Sequence, residues 1–491
     1  MPERSLSDDR FTIFSFLWAA AVIFHLGKWN IWLHSPVSFV LGISAALVLL
    51  KPSSLNRFYI LICLQLIDSI EKMPWIANHW LFAALAGLAI LLSALTLMIS
   101  SKKINIEKSE LFDTFAPAVR LELLLLYMFT FFHKLNAGWF DPGVSCGTKL
   151  YLLMTGGSGF FQSSLFTEYF AIYGALAVEL IIPVCLIIRR TRTAGIIIAL
   201  LFHFMLGAGE FYNFSAVMYA LLFLFAPDNF SEQLSEWWNG SSVQKLYRRM
   251  IERGLIKKVK LPILIIAGAS YLALFIYARL AYPSLEQYPE LRELGKFGRT
   301  RLYYVFIGLW WIYGILIIAV FLSAIRKGKS IWSSRNRHFV PRYKILALLP
   351  ILVVINGASP YIGLKTQTSW SMFSNLRTEG RTSNHLIIRH PYYLADYQSE
   401  LVEIKNSSDP RLGVFGEKGY LIPYFELRRY LSMNHKYEAD GIRLEYVRNG
   451  RGKSISGPGD DPGLFEPVNY FLGKLLHFRP VPSDKNSICQ H

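Results

Sequence analysis

The sequence predicts a polytopic α-helical membrane protein of about 9–11 spans, followed by a small, mainly β extracytoplasmic domain. Three observations carry that expectation. The 491-residue chain is 53% hydrophobic and 15% aromatic, with a mean hydropathy of +0.32. Many of its apolar runs approach the roughly 20 residues that cross bilayer hydrocarbon. Beyond Gly363 those runs give way to short segments in which apolar and polar residues alternate. The domain division expected from hydropathy is 1–360 for the spanning part and 361–491 for the β-rich part.

Taken in order, candidate spans lie at about 11–27, 36–50, 57–73, 79–99, 114–135, 167–188, 194–209, 211–227, 261–281, 299–325 and 342–360. Several are short for a full crossing. The third carries Gln65, Asp68 and Glu71, so one or two of these runs are expected to tilt or re-enter. Phe11–Gly27 lacks a small-x-small cleavage site and reads as a retained first span.

The net charge of +17 comes from 51 basic and 34 acidic residues. In a soluble chain that excess would suggest nucleic acid. Here the basic residues gather in short loops between apolar runs, which points to orientation and anionic lipid. The partner expected is membrane lipid, with no nucleic acid. With a cytoplasmic amino terminus, eleven crossings place Lys51–Arg57, Lys102–Lys108, Arg189–Arg192, Lys245–Lys260 and Arg326–Lys344 inside. Loops 74–79 and 136–166 on the other side are poor in Lys and Arg; Arg292–Arg301 is an exception, partly balanced by Glu286, Glu290 and Glu293. The pattern favours an N-in, C-out integral membrane protein.

In the carboxy-terminal part, His385–His390, Leu401–Asn406, Tyr420–Met433 and Gly441–Arg451 read as strands. Ile442, Leu444 and Tyr446 alternate with Arg443 and Glu445, and Asn449-Gly450 is a hairpin-turn signal. Tyr470–His477 reads as a closing helix. No internal repeat, Walker loop, GxGxxG element or zincin motif is present, and the four cysteines show no metal-ligand spacing, so no metal is expected. Cys63 and Cys185 read as small core residues. Cys146 and Cys489 fall in predicted external segments where pairing is chemically allowed, although a free loop cysteine is the simpler reading. Trp237-Trp238 and Trp310-Trp311 read as interfacial anchors.

The polar residues of the spans carry the functional signal. Phe115–Pro142, FAPAVRLELLLLYMFTFFHKLNAGWFDP, holds Arg120, Glu122, His133 and Lys134 within or beside an apolar run. Charges in hydrocarbon cost a few kcal/mol each, so they face a protein interior, a cavity or the interface. Lys134, near the end of its run, can also snorkel to headgroups with no function. Asn78-His79 opens the fourth span at its predicted outer end, and Glu179 lies deep in the sixth. His203 lies in the seventh span and Glu210 follows seven residues later, nearly two turns away on the same face and at the outer turn into the next span. A single buried histidine is more often a satisfied core residue. Convergence of these groups on the outer half of the membrane favours an aqueous or ligand-filled cavity. A lysine kept from water near other cations, here His133 and Arg120, can act as a neutral base, and Asn and His side chains can hold an oxyanion. A site at that depth suits a lipophilic partner such as a quinol, an isoprenoid or an acyl chain.

At these positions HKLNAGW resembles the Lys-Lys-Leu-Asp-Ala-Asp-Trp segment of vitamin K-dependent γ-glutamyl carboxylase and its bacterial relatives with an HTTM domain. LQLIDSIEKMPWIANHW resembles that family's segment ending in Asn-His. LFHFMLGAGEFYNFSAVMYALLFLFAPDNF is similar to its Phe-His helix and the following span, and SWSMFSNLRTEGRTSNHLII to its Ser-Trp-Asp-Met-Met segment. The resemblance runs patchily from about Leu61 to Ile388, and the order of the motifs is more specific than any one of them. It implies Lys134 as the base that deprotonates a reduced quinone, supported by Asn78, His79 and His203. Trp370 and Arg377 match a stretch linked to glutamate-substrate handling. Glu210, Asn136 and Trp139 complete the candidate substrate-binding set. The implied cofactor is a vitamin K hydroquinone-like reduced quinone, with O2 and CO2 as reactants and a protein or peptide as the acceptor. Ser371 stands where the family has Asp, Asn375 where it has His, and Asn136-Ala137-Gly138 where it has Asp-Ala-Asp. These departures bear on peptide carboxylation more than on quinol chemistry. A non-catalytic transporter or lipid-binding scaffold is the alternative, since Glu179, His203 and Glu210 could line a proton or solute path.

Overall fold

The computed structural model describes residues 8–28, 35–155, 164–252, 289–334, 338–434, 441–483 and 489, with parts of 262–276. The principal helices of its membrane part include α1 (Asp8–Gly27), α2 (Pro36–Leu50), α3 (Leu55–Lys72), α4 (Asn78–Ser101), α5 (Lys108–His133), α6 (Leu165–Ile187), α7 (Arg192–Leu206), α8 (Tyr212–Phe223), α9 (Phe230–Asn239), α10 (Pro289–Ile325) and α11 (Leu348–Ala358). Among the described residues seven stretches are long and apolar enough to cross a membrane: 10–27, 78–101, 108–133, 165–187, 192–223, 303–325 and 344–361. On that ground the chain is an integral membrane protein.

The other predicted spans turn out differently. The run at 36–50 forms a helix of only 15 residues. The run at 57–73 forms the amphipathic α3 rather than an apolar span. The runs at 194–209 and 211–227 do form two helices, Arg192–Leu206 and Tyr212–Phe223, joined by a kink over Gly207–Phe211 where Gly209 and Glu210 leave helical values. The run at 261–281 lies largely outside the described residues.

Compactness divides the chain elsewhere than hydropathy does. One unit comprises 1–68, 86–120 and 184–346; the other comprises 69–85, 121–183 and 347–491. In the first, α1 packs on α2 and α8. Its aromatic stripe does much of the packing: Phe11 meets Phe58 edge-on at 5.2 Å, and the Trp18 indole donates to Gln65 Oε1 at 2.8 Å. Ser38 Oγ donates to Asp68 Oδ1 at 2.6 Å, so α3 buries its polar residues in hydrogen bonds, as burial demands. A Cβ on Gly207 would fall 2.2 Å from the Trp310 ring, which is why α7 and α10 approach closely there. Trp310 is fully buried and donates to Phe204 O, so it is a packing residue and not the interfacial anchor the sequence suggested. Cys63, read as core, is exposed.

The second unit contains an antiparallel sheet of β1 (Leu401–Ser407), β2 (Tyr420–Pro423), β3 (Leu444–Arg448), β4 (Arg451–Ile455) and β5 (Val481–Pro482), in the order β4-β3-β1-β2-β5. The β3–β4 hairpin turns at Asn449-Gly450, with φ of 51° and 73°. Ile442, Leu444 and Tyr446 face the core while Arg443 and Glu445 face out. The predicted strand Tyr420–Met433 is a strand only to Pro423; α13 (Tyr424–Asn434) follows, after α12 (Pro410–Glu417) between β1 and β2. Tyr424, Leu427 and Leu431 recur at intervals of three and four and pack on the sheet core, a helical period that competes with the strand reading. The predicted strand His385–His390 is irregular apart from one bridge, Asn136 to His385. The helical elements make this region a mixed one rather than mainly β. Cys146 and Cys489 are joined by a disulfide, which corrects the free-thiol reading.

Candidate functional site at the end of helix α5

The second unit gathers most of the predicted residues around the turn that ends α5. The helix runs to His133, and Asn136 then caps a short helix, Ala137–Phe140, by accepting from Trp139 N at 2.9 Å. The same amide donates to His133 O and Ser374 O. Asn136 is therefore a fully buried structural clamp on the HKLN turn.

One peptide group links the distant motifs. Asn78 Oδ1 accepts from Trp370 N at 2.9 Å, and His133 Nε2 lies 3.2 Å from Ser369 O. The carbonyl of Ser369 and the N–H of Trp370 belong to the same peptide plane, so Asn78 and His133 grip its two polar ends. A carbonyl only accepts, so Nε2 carries the hydrogen and Nδ1 takes one from Tyr361 Oη at 2.9 Å. Trp370 is fully buried, with its indole donating to Val353 O and its edge against Phe82. His79 is buried in the first turn of α4.

Lys134 is 5% exposed. Its Nζ lies 2.8 Å from each carboxylate oxygen of Glu179 and 3.2 Å from Thr130 O. The group facing the amine is thus a largely shielded carboxylate on α6, where the sequence reading had looked to Arg120 and His133. The ammonium also lies 5.2 Å over the Trp139 ring. Trp139 is fully buried, yet its indole N–H has no partner. An unmet buried donor is uncommon in native structures.

The segment from Gly363 to His385 has no regular secondary structure, and much of it is buried. Thr368, Trp370, Phe373, Asn375 and Arg381 all have positive φ. Left-handed backbone at non-glycine residues costs roughly 1 kcal/mol or more each and persists where the surroundings over-determine it. Here part-buried hydrogen bonds contribute: Asn384 Nδ2 donates to Asn375 O, and Arg377 N donates to Asn384 Oδ1. Glu379, fully buried, receives Arg479 Nε at 2.9 Å. Burial holds the Arg377 guanidinium below its usual range, with Glu379 opposing and Arg479 adding to the effect. Its Nε has no partner. Lys365, which the sequence did not single out, is pushed down to about 8 by burial and donates to Thr368 Oγ1 at 3.3 Å. Neither Lys365 nor the Glu179 pairing carried a sequence signal, because both depend on neighbours remote in the chain.

His203 and Glu210 belong to the first unit. His203 is buried on α7 with Phe202 and Phe214 edge-on to its ring at 5.2 and 5.1 Å. Glu210 sits in the π-turn at φ +87°, and Gly209 also departs from helical values. The shared helical face expected for His203 and Glu210 needs an unbroken helix, and the kink removes it. Glu210 instead engages Lys28, whose Nζ donates to Glu210 O at 2.8 Å and lies 3.8 Å from Oε2.

Among the described residues no group of three or more His, Cys, Asp or Glu side chains could hold a metal. No protein-family model matches the chain, and no curated protein or solved structure is significantly similar to it. The site therefore defines a class on its own terms: an integral membrane protein with a buried lysine–carboxylate pair beside an unmet indole donor.

Proposed function

We propose that the protein is an integral membrane enzyme that uses Lys134 as a base toward a lipophilic quinol, in the manner of the vitamin K-dependent γ-carboxylase and HTTM proteins its motifs resemble. The observation that carries the reading is the buried Lys134–Glu179 pair against Trp139 with its unpartnered N–H. For Lys134 to act as a base its proton must first leave, and Glu179 is the acceptor within hydrogen-bond reach. The amine would then take the hydroxyl proton of a quinol, with the Trp139 N–H available to the oxygen that loses it. Asn78 and His133 hold the Ser369–Trp370 peptide in place beside this turn. His79 keeps the supporting role the resemblance implies, as do Arg377 and Trp370 for the acceptor. O2 and CO2 are the further reactants it implies, with a protein or peptide as one class of acceptor. The Cys146–Cys489 disulfide supports an oxidising, extracytoplasmic setting for the site, in line with the basic-loop pattern.

The test is oxygen-dependent oxidation of added reduced quinones by the protein in lipid nanodiscs. Lys134→Ala abolishes turnover in folded protein. Lys134→Arg is nearly as damaging, because a guanidinium stays charged and cannot act as a base. Undiminished activity in a folded Lys134→Arg variant would remove the lysine from the mechanism, since a snorkelling lysine tolerates that change.

A proton-coupled transporter, or a lipid-binding scaffold, is the second reading. Glu122 favours the transporter: it is fully buried within a candidate span, and neither carboxyl oxygen has a partner. Under that reading Glu122→Gln abolishes proton-coupled uptake, and quinol oxidation is absent from the wild type.

A further inference from the structure

The first unit holds a second polar cluster, built from other residues. Arg120, on α5, donates from Nε to Leu224 O at 2.7 Å and from Nη1 to His338 O at 3.0 Å. Arg192, at the first position of α7, donates to Leu186 O at 2.8 Å and Ile187 O at 3.3 Å. Its guanidinium stacks over Trp332 and Phe339 at 4.9 and 5.6 Å. These bonds cap helix ends and account for part of each guanidinium. They leave Arg192 Nη1 and both ring nitrogens of His338 buried without a partner. Arg192 is 2% exposed and His338 fully buried, in a setting of Phe225 and Phe339 rings.

The local charge is also uneven. Arg10 is taken up by Asp113 at 2.9 Å and lies 3.6 Å from Asp228. Among the described residues Asp228 is the main carboxylate acting on Arg120 and the one acting on Arg192, and Arg189 adds further positive potential at Arg192. Three buried or half-buried guanidinium groups thus share two carboxylates. Thr191, at the N-cap of α7, makes no capping bond; its hydroxyl donates back to Cys185 O and Ile188 O. The first-turn amides of a 15-residue helix therefore lack that acceptor, and a helix N-terminus favours an anion.

We propose that Arg192 and His338, with Arg120 supplying charge, bind a phosphate group. Phosphate fits because it offers several acceptor oxygens in different directions. A guanidinium edge, one imidazole N–H and helix amides can each take one. Its source is either the headgroup of an anionic phospholipid, which basic pockets between membrane helices recognise, or free phosphate. The site is independent of the quinol reading and shares no residue with it.

Two probes separate the sources. Purified protein in phosphate-free neutral detergent is titrated with inorganic phosphate by calorimetry. In parallel, protein from phosphatidylcholine nanodiscs with or without phosphatidylglycerol is examined by native mass spectrometry for retained anionic lipid. His338→Phe keeps the ring in its aromatic setting and the backbone carbonyl that Arg120 uses. Arg192→Lys keeps the charge and removes the fork. Either variant is expected to weaken binding about tenfold or more, which is about 1.4 kcal/mol. Inorganic phosphate binding that both variants weaken supports a free-phosphate site, and retained phosphatidylglycerol that both weaken supports a lipid site. No binding of either probe by wild type overturns the proposal, as does equal binding by a His338→Phe variant of unchanged melting temperature. In either case the arginines are helix caps and nothing more.

Discussion

At the scale of the residue, the Lys134–Glu179 pair shows how a tertiary partner changes what a side chain means. A lysine at the end of an apolar helix is ambiguous; a lysine on a buried carboxylate is not a snorkelling one. Lys134 is buried and the Glu179 side chain only 12% exposed, so removing one partner strands the other's charge. Lys134→Met is expected to cost about 3–5 kcal/mol, and Lys134→Met with Glu179→Leu to recover much of that loss, read from melting in detergent. Equal losses in the single and double variants would mean that the two groups are not coupled. The second unit also carries a pH response. His477 is held down to about 3 by burial, with Arg429 and Lys365 adding to the effect. Between pH 6.5 and 3 the unfolded chain therefore binds a proton that the folded chain refuses, and stability falls as pH drops through that window. Glu426 works the other way: burial raises it to about 7, so the folded state gains a proton first as pH falls from 7 toward 4.5. Comparing wild type with His477→Gln cancels the glutamate. The variant's melting temperature should fall less between pH 6.5 and 4, and parallel curves would show that His477 is not the group responsible.

At the scale of the element, the hairpin and the kink illustrate local and non-local control. Asn449 and Gly450 both adopt positive φ, the requirement of a two-residue turn between twisted strands. A Cβ on Gly450 meets nothing within 4 Å, so Gly450→Ala tests the backbone alone and should cost about 1 kcal/mol. Gly207→Ala tests packing instead, because its new methyl collides with Trp310. Overpacking of that kind costs roughly 1–3 kcal/mol, and an unchanged melting temperature would mean that α7 and α10 do not approach as described. The hairpin was legible because Asn-Gly acts through its own dihedrals. The break at Gly209 and Glu210 was legible as a turn between two apolar runs, but its partner Lys28 was not, because it lies far away in the chain.

At the scale of the whole molecule, orientation is the property to measure. The basic loops predict that a reporter fused after Gly363 is extracytoplasmic and one within Ser241–Lys260 cytoplasmic. A cytoplasmic carboxy terminus would reverse both. The disulfide offers an independent check. Cys146→Ser should destabilise the second unit by about 2–5 kcal/mol in protein isolated oxidised. Reductant should produce a similar loss in wild type and none in the variant.

Hydropathy alone determined that the chain enters a membrane, because the free energy of burying an apolar run depends on its own composition and length. Local sequence likewise determined the β3–β4 hairpin and the inward face of β3. The tertiary structure decided that Cys146 meets Cys489 and that the chain divides into units built from separate stretches. It also decided the pairing of Lys134 with Glu179 and the grip of Asn78 and His133 on one peptide. Each of these depends on which distant residue comes to lie within a few ångströms, and no period or spacing along the chain encodes that.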